Sequence, residues 1–332
     1  MYSSVSDKEL FSRVGFYRDD IEALKMNGDQ VLATNSLVEI LKFSPELMVA
    51  YFYSKSILAA LVCHFIGCRV ILTGGADQIS PVLSWGWPLR MHQISAFISL
   101  LLAHRIFLSC SDDFENFSKL CFNIKFLKKK LVRVNHAVCL TGQIRIDNVR
   151  PIGRFYALTL CWMGAVANVR RKGVDRAINL VALLRRIGVD AALDIAGTDG
   201  PGREYLDEII KNLKLSEYVH FLGSISEQEK SRRFAARDVY LQLSEYEGFG
   251  VAAAEAFFAG MVVAHSNKGG LRDVIGEHGL IVDIAMIDNE DLKAVDKFYS
   301  DFLKYKVNLD FIKKKIEDYS ISMRSKSFYE EI

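Results

Sequence analysis

One stretch, residues 244–260, most constrains what this chain can fold into. Residues 238–243, just before it, are a short apolar run bounded by turn-forming residues, which predicts a strand inside a parallel sheet. Gly248 and Gly250 then predict a tight loop, in which the backbone can approach a ligand or adopt a positive φ. The alanine-rich run that follows favours a helix closed by Gly260. The pattern is that of a strand, a glycine loop and a helix.

This unit also predicts an anion site. A helix that begins near Gly250 directs N–H groups and the positive end of its dipole into the space above the sheet, where a phosphate is held well. Glu247 precedes the helix and Glu255 lies inside it, so the two carboxylates suit separate tasks: Glu255 the neighbouring hydroxyls of a ribose, and Glu247 polar groups beyond the phosphate. An ordinary strand-to-helix loop with two surface glutamates is the alternative for this spacing alone.

Together with its surroundings, this stretch resembles the retaining nucleotide-sugar glycosyltransferases of family 4, also called group 1. In that family two glutamates separated by seven residues flank a Gly-Phe-Gly turn, as Glu247 and Glu255 do here. The resemblance covers roughly residues 155–285, in the family's order. The other segments that resemble the family are Gly164 to Gly173, Leu193 to Gly197, Val219 to Gly223, Gly260 to Ala264, Gly269 to Ile275 and Gly279 to Asp283.

The resemblance implies the GT-B fold, an α/β architecture of two Rossmann-like, doubly wound parallel-sheet domains facing across a cleft. The alternation of strands and helices in the first part of the chain independently predicts such a sheet, with right-handed crossovers. The predicted domains are residues 1–150, on the acceptor side, and residues 151–332, which bind the nucleotide sugar. The last helix is expected to cross back to the first domain, and a polar linker is predicted over residues 141–154.

The first domain departs from the family pattern at its start. No convincing strand precedes Gly15, so the first strand is either shortened to residues 2–5 or lost from the sheet edge. Gly15 then opens the candidate acceptor-side loop. The other predicted elements are helices at 15–25, 54–66, 94–104, 112–120, 292–305 and 311–332, and strands at 30–34, 47–53, 68–73, 105–110 and 130–134.

The resemblance assigns the donor-binding residues of the second domain. Lys172 matches the family lysine that grips the donor diphosphate, which makes it, with Glu247, a candidate catalytic residue. Ala165 stands where the family has an arginine; Arg170 or Arg171 is the candidate to replace its charge on the departing diphosphate. The candidate donor-binding residues are Glu255, Gly248, Phe249, Gly250, Val251, Arg171, Gly197, Leu222, Gly269 and Gly270.

Two features of the first domain are further candidates. Asp77 follows the predicted strand at 70–73, at a carboxyl strand end where open α/β sheets bind ligands, and is the third candidate catalytic residue; a simple turn aspartate is the alternative. Trp85 and Trp87 are predicted in a loop. They suit a glycan or lipid-linked acceptor or a membrane interface, and a loop folded onto the core is the alternative.

The charge and hydropathy of the chain narrow the classes of partner that it is expected to bind. The formal charge of +2, from 42 basic and 40 acidic residues, gives no reason to expect nucleic acid. Residues 125–133 contain five basic side chains, which form either a solvated face or a surface attracted to anionic phospholipid. The apolar runs at 57–66 and 94–103 fall short of the ~20 residues that span a membrane and are predicted to be core helices.

The cysteines and the amino terminus predict a reducing compartment. The six cysteines lack paired metal-ligand spacing, so no metal is expected and the thiols are predicted to be buried. The start of the chain has neither a basic segment nor an apolar core, unlike a signal peptide. The expected location is the cytoplasm, with peripheral contact at the inner membrane a habit of the family.

The implied function is retaining transfer of a sugar from a UDP- or GDP-linked donor to an acceptor hydroxyl, in surface polysaccharide or glycolipid assembly. The resemblance implies neither a metal nor a cofactor besides the donor. A degenerate transferase that binds a nucleotide sugar or a partner is one alternative, which Ala165 and the thin amino terminus favour slightly. A sugar-nucleotide epimerase is another, although its catalytic carboxylates and histidine are not identifiable. A dinucleotide-dependent oxidoreductase lacks its glycine fingerprint after the first strand.

Overall fold

The computed structural model describes residues 1–5, 7–140, 142 and 153–330, without the side chains of residues 76 and 77. The chain divides into two compact units. The first unit contains Met1–Cys139 and Glu317–Ile332, and the second contains Leu140–Ile316. The sequence placed the boundary near residue 150, in a predicted linker that lies largely outside the described residues.

The first unit consists of a parallel four-stranded sheet with helices on both of its faces. The strands follow the order β1-β2-β3-β4. They are β1 (Leu47–Tyr51), β2 (Arg69–Thr73), β3 (Arg105–Leu108) and β4 (Leu131–Arg133). The helices are α1 (Leu10–Arg13), α2 (Gly15–Lys25), α3 (Leu37–Phe43), α4 (Ile57–Phe65), α5 (Gly86–Leu102), α6 (Ser111–Leu120) and α7 (Lys125–Lys128), with short 3₁₀ turns at Tyr53–Lys55 and Ala76–Ile79.

Both faces of this sheet are buried. Successive side chains of a strand point to opposite sides of the sheet, and helices pack on each side. Met48 and Ala50 of β1 belong to a core cluster with residues of α4, α5 and α6. Val49 and Tyr51 belong to a second cluster with residues of α2. The register joins Leu47 to Arg69 and Tyr51 to Thr73. Strands buried on both faces explain why the sequence shows continuous apolar runs here.

The amino-terminal strand is reduced to one residue. Tyr2 makes isolated parallel bridges to Ala50 of β1 and to Thr34. Of the shortened strand proposed at residues 2–5, only Tyr2 pairs in the sheet, and residues 3–5 form no strand. The strand predicted at 30–34 was wrong except at Thr34. Gly15 was predicted both as the start of a helix at 15–25 and as part of a candidate acceptor-side loop; it is the first residue of α2, Gly15–Lys25.

Two helix starts also differ from the prediction. Helix α5 begins at Gly86, eight residues before the predicted start, so Trp85 is its N-cap and Trp87 lies in its first turn rather than in a loop. Pro88 fits this position because the first turn of a helix leaves N–H groups without intrahelical partners. Helix α6 was predicted at 112–120; it begins at Ser111, and its N-cap is Cys110, whose Sγ accepts from the N–H of Asp113 at 3.4 Å.

The second unit is a parallel six-stranded sheet in the order β10-β9-β8-β5-β6-β7. Its strands are β5 (Arg154–Leu160), β6 (Asp190–Ala196), β7 (Val219–Gly223), β8 (Val239–Gln242), β9 (Val262–His265) and β10 (Leu280–Ile281). Its helices are α8 (Val166–Lys172), α9 (Val174–Arg186), α10 (Pro201–Asn212), α11 (Glu227–Ala236), α12 (Val251–Phe258), α13 (Gly270–Val274), α14 (Ala285–Asp288), α15 (Leu292–Lys304) and α16 (Leu309–Lys315). Strand β5 lies in the middle, and its Phe155 ring packs edge-on against Phe302 of α15.

The end of the chain returns to the first unit. The helix predicted over 311–332 is three pieces: α16, a 3₁₀ turn at Ile316–Tyr319 and α17 (Ile321–Glu330). Phe328 of α17 stacks on Phe107 of β3 at 5.8 Å between ring centroids. Arg324 of α17 makes a two-pronged ion pair with Asp20 of α2, with both N–O distances at 2.7 Å. Helix α17 thereby covers one face of the first sheet.

Candidate donor site

In the sheet of the second unit, the order in which the chain adds strands reverses between β5 and β8. The chain adds β6 and β7 on one side of β5, and then returns to add β8, β9 and β10 on the other. Parallel α/β sheets bind ligands beyond the carboxyl ends of their strands at such a switch point, because the two flanking loops diverge there and leave a crevice. Strand β5 leads through residues 161–165 into α8, and β8 leads through residues 243–250 into α12.

Two charged candidates meet at this switch point. Lys172 is the last residue of α8, and its Nζ donates to Oε1 and Oε2 of Glu247 at 2.7 and 2.6 Å. Ser244 Oγ donates to the same carboxylate at 3.2 Å. Glu247 is only 6% exposed, whereas the side chain of Lys172 is 22% exposed. The pair therefore joins a buried anion to a cation that still contacts solvent.

The electrostatics keep Glu247 ionised. Burial alone would raise the pKa of this carboxyl group, since the charged form loses its hydration. The positive charges of Lys172 and Arg171, with the hydrogen bonds from Lys172 and Ser244, outweigh burial and hold the pKa of Glu247 below its usual value. The site thus contains a carboxylate at neutral pH, together with two cations.

The sequence left open whether Arg170 or Arg171 replaces the charge of the family arginine, and the structure gives the two side chains different partners. Arg171 donates through Nη1 to the carbonyl of Tyr246 at 3.1 Å and through Nη2 to Asn168 Oδ1 at 2.9 Å, which places it beside Glu247. Arg170 turns away and donates through Nε to the hydroxyl of Tyr205 at 3.2 Å. Ala165, at the position of the family arginine, is the N-cap of α8. Arg171 is thus the arginine next to the Lys172 and Glu247 pair.

The two glycine turns pack on each other around the backbone of Glu247. Gly250 has φ of 84° and is the N-cap of α12, a conformation that a side chain would strain. Gly269 has φ of 53°, and a Cβ there would lie 2.1 Å from the carbonyl oxygen of Glu247. The N–H of Gly270 donates to that same oxygen at 2.6 Å. The loop at 248–251 and the turn at 269–270 therefore form one compact structure.

Glu255 has a partner that the sequence did not reveal. This carboxylate is buried in α12, and its Oε2 accepts from Nζ of Lys230 at 2.7 Å. Lys230 also pairs with Glu227 at 2.8 Å. Burial would lower the pKa of Lys230, but Glu255 and Glu227 together raise it above its usual value. A signal existed in the sequence: Lys230 precedes the buried Phe234 by four residues and so shares its helix face.

Further candidates lie at the ends of neighbouring strands. Gly197 follows β6, and a Cβ there would lie 1.7 Å from the carbonyl oxygen of Cys161 in the loop after β5. Leu222 is near the end of β7 and half-buried. Trp162, in the loop after β5, was not predicted as a site residue; its exposed indole crowds Gly164, where a Cβ would lie 2.0 Å from the ring.

The candidates of the first unit do not form a site with each other on the described contacts. The side chain of Asp77 lies outside those described, although its backbone belongs to the 3₁₀ turn after β2. Gly15 lies inside helix α2. Trp85 and Trp87 are both exposed, so the alternative in which they fold onto the core was wrong.

Among the described residues, no group of three or more histidine, cysteine, aspartate or glutamate side chains is placed to hold a metal ion. No helix among them is long and apolar enough to cross a membrane.

The fold is that of the GT-B glycosyltransferases, which confirms the predicted fold class. The structure of HepE from Anabaena in complex with UDP superimposes with a TM-score of 0.64 at 13% sequence identity, covering 99% of this chain and 97% of that one. At this identity the likeness establishes the fold alone. The described strands of both units are parallel, as the sequence predicted.

Residues 163–315, just under half of the chain, match the family model described as glycosyl transferases group 1. An uncharacterized glycosyltransferase of Methanocaldococcus jannaschii, MJ1607, is 36% identical over 142 residues, which are 42% of this chain and 36% of that protein. A GDP-mannose-dependent phosphatidylinositol monomannoside mannosyltransferase of Mycobacterium tuberculosis is 30% identical over 129 residues, 36% of this chain and 33% of that protein. The chain therefore has homologues among the group 1 glycosyltransferases, and it spans about a third of the length of these two.

Proposed function

We propose that this protein transfers a sugar from a nucleoside-diphosphate donor to an acceptor hydroxyl, and that the second unit binds the donor. The observation that carries the proposal is the pairing of Lys172 and Glu247 at the switch point of the sheet, with Arg171 beside it. Two cations and the start of α12 lie close to Glu247, and a diphosphate needs such positive charge.

The proposed mechanism uses charge held in place before the reaction. The bond between the anomeric carbon and the diphosphate oxygen breaks, and a bond to the acceptor oxygen forms on the same face, with retention. Negative charge accumulates on the departing diphosphate, which Lys172, Arg171 and the amides near Gly250 stabilise. The acceptor proton moves to the leaving phosphate, so no side chain acts as base and no metal is required.

The two glutamates take different parts in this proposal. Glu247, held by Lys172 and Ser244, hydrogen-bonds the donor sugar, with the turn at 269–270 beside it. Glu255 holds the ribose, and Lys230 fixes the orientation of its carboxylate. Gly197 and Leu222 would line the nucleotide side, and Asp77 remains a proposed catalytic residue of the first unit.

The donor base is proposed as uracil or guanine. HepE was crystallised with UDP, and the Mycobacterium tuberculosis relative is named for GDP-mannose. The latter name also specifies a phosphatidylinositol glycolipid acceptor, which supports a lipid-linked or glycan acceptor here, in glycolipid or surface polysaccharide assembly. The cytoplasmic location expected from the sequence stays a prediction.

Titration calorimetry with UDP and GDP, followed by a donor hydrolysis and transfer assay, tests this proposal. We expect one nucleotide to bind the wild-type chain and Glu247→Gln to reduce turnover of the matching donor. Glu208→Gln, an exposed change on α10, is the control and should leave turnover unchanged. If neither nucleotide binds, the donor site proposed here is wrong.

A nucleotide-sugar-binding module without turnover is the second candidate. It is favoured by the resemblance, which puts Ala165, the N-cap of α8, where the family has a phosphate-binding arginine. The two candidates separate in the same experiment, because the module binds the nucleotide but neither hydrolyses nor transfers the sugar from any donor tested.

A further inference from the structure

Helix α8 carries the two cations of the proposed donor site in its last turn, and an asparagine one turn earlier. Asn168 precedes Arg171 by three residues, so their side chains lie on the same side of the helix. Arg171 donates through Nη2 to Oδ1 of Asn168 at 2.9 Å. Asn168 therefore contacts one of the two cations directly.

The side-chain amide of Asn168 fits in one orientation. Its Nδ2 donates to the carbonyl oxygen of Trp162 at 2.6 Å and to Sγ of Cys161 at 3.5 Å. A flipped amide would place its oxygen against the Trp162 carbonyl and its NH₂ group against the guanidinium, and both contacts would be repulsive. The loop after β5 thus fixes Asn168 with its oxygen facing Arg171.

The backbone and the side chain of Arg171 are held by different partners. Its carbonyl oxygen accepts from the N–H of Glu245 at 2.8 Å, which attaches the end of α8 to the loop after β8. Its guanidinium is held at one terminal nitrogen by the carbonyl of Tyr246 and at the other by Asn168. Two bonds at separate nitrogens fix the plane of the group. Without Asn168 the backbone would stay in place, but the guanidinium could swing about the single remaining bond.

The held guanidinium can still bind an anion. A guanidinium has five N–H donors, and the described contacts of Arg171 use two of them. Its side chain is half-buried, so the other donors are within reach of a ligand. Arg171 lies beside Glu247, which is proposed to hydrogen-bond the donor sugar. The phosphate group closest to this cation is then the one that carries the sugar.

We propose that Asn168 is a positioning residue, which holds Arg171 toward the sugar-bearing phosphate of the donor. The resemblance puts the phosphate-binding arginine of the family at the start of α8, where this chain has Ala165. Arg171 supplies the charge from the end of the same helix, and Asn168 orients it. A cation oriented in advance stabilises the charge on a leaving group without reorganisation during the reaction. The inference rests on the proposed function and adds that Asn168 acts through Arg171.

Titration calorimetry of the full chain with UDP and UMP, and with GDP and GMP, tests the contact to the second phosphate. Asn168→Ala should weaken binding of the diphosphate about tenfold, the effect of one lost hydrogen bond to a charged group. It should not change binding of the monophosphate, which lacks the phosphate that Arg171 contacts. Asn212→Ala, at the exposed asparagine that ends α10, is the matched control. An equal loss for both nucleotides contradicts the proposal.

A double-mutant cycle on turnover tests whether Asn168 acts through Arg171. Arg171→Met should reduce turnover about 10²–10³-fold, and Asn168→Ala about 10- to 100-fold. In the Arg171→Met background, Asn168→Ala should cause no further loss, because no guanidinium is left to orient. Asn168→Gln, which keeps the amide, should recover part of the turnover, and circular dichroism checks that every variant folds.

The outcomes separate this inference from the proposed function. A wild-type chain that binds neither UDP nor GDP overturns both. A chain that binds and transfers, but in which Asn168→Ala costs as much with Arg171→Met as without it, overturns this inference alone. Asn168 would then act by anchoring the loop at Trp162. If the chain binds a nucleotide without turnover, the comparison of diphosphate with monophosphate decides the matter.

Discussion

Two ion pairs, one in each unit and each between distant parts of the sequence, differ in their access to water. Arg324 and Asp20 in the first unit are each 1% exposed, and Tyr51 also hydrogen-bonds that aspartate. In the second unit the side chain of Glu247 is 8% exposed, and that of its partner Lys172 is 22% exposed. A pair that is sealed on all sides can only hold helices together, whereas a pair with one accessible cation can also receive a ligand.

The largest loss of stability should come from breaking the sealed ion pair between Arg324 and Asp20. Arg324→Met leaves Asp20 buried without its cation, and removal of one partner from such a pair costs about 3–5 kcal/mol. We expect hydrogen exchange to accelerate in peptides from α2 and β1. Lys326→Met, on the exposed side of the same helix, should cost less than ~1 kcal/mol. The double variant Asp20→Leu with Arg324→Met should be more stable than Arg324→Met alone; an equal loss would show that the charge is not the cause.

The accessible pair should respond in activity more than in stability. Lys172→Met removes a cation from the departing diphosphate, so we expect turnover to fall ~10²–10³-fold. Stability should fall by only about 1–2 kcal/mol, because Arg171 still faces the carboxylate. Steady-state kinetics and urea unfolding measure the two quantities. Lys211→Met on α10 is the control, and a Lys172→Met variant with full turnover would remove Lys172 from the mechanism.

The third and smaller effect is on the pH dependence of stability, and it comes from the buried, neutral His265 in the second unit. His265 donates through Nε2 to the carbonyl of Gly276 and accepts at Nδ1 from the N–H of Asn267. Burial lowers its pKa to about 4, below the unfolded value of about 6.5. The unfolded chain therefore binds a proton first, and stability falls as the pH drops from about 6.5 to about 4, by roughly 2–3 kcal/mol in all.

His265→Asn should flatten this part of the pH profile of unfolding in the second unit. Hydrogen exchange of residues 153–316 at several pH values measures it, with the acid-sensitive carboxylates unchanged in both proteins. If the variant loses stability across that range as steeply as the wild type does, then His265 is not the group that titrates.

The smallest effect tests whether Lys230 positions Glu255. Lys230→Met removes the ammonium group that fixes this carboxylate, and we expect nucleotide binding to weaken about tenfold, or ~1.4 kcal/mol, with a smaller change in turnover of bound donor. Lys230→Arg should recover part of the affinity. Calorimetry with the nucleotide that binds the wild type decides this, and an unchanged Kd for Lys230→Met would contradict the positioning role.

The sequence predicted the elements that local pattern determines. Helix α2 and strand β1 stand where the apolar spacing put them, because a buried strand or an amphipathic helix needs that spacing whatever surrounds it. Lys172 and Glu247 were both candidates from motif position. Their contact was not derivable, since it joins residues 75 apart through the order of strands β5 and β8.

The incorrect predictions each have a physical cause. The strand at 30–34 failed because only Thr34 finds a neighbour, Tyr2, in the sheet. The extent of α5 failed because glycine and proline at positions 86 and 88 indicate a loop locally, although both suit the first turn of a helix. Lys230 was missed because a lysine on a buried helix face is rare and needs an acidic partner from another element.

The placement of α17 has a consequence for synthesis. Residues 1–139 leave the ribosome well before Arg324 and Phe328 are made, so the nascent first unit emerges with Asp20 lacking its cation and with the part of one sheet face that α17 covers still bare. The intervening 177 residues, Leu140–Ile316, must be translated first. Closure of the amino-terminal core is thus postponed until α17 has been translated, and any intermediate stalled before that point presents the bare part of this face to chaperones.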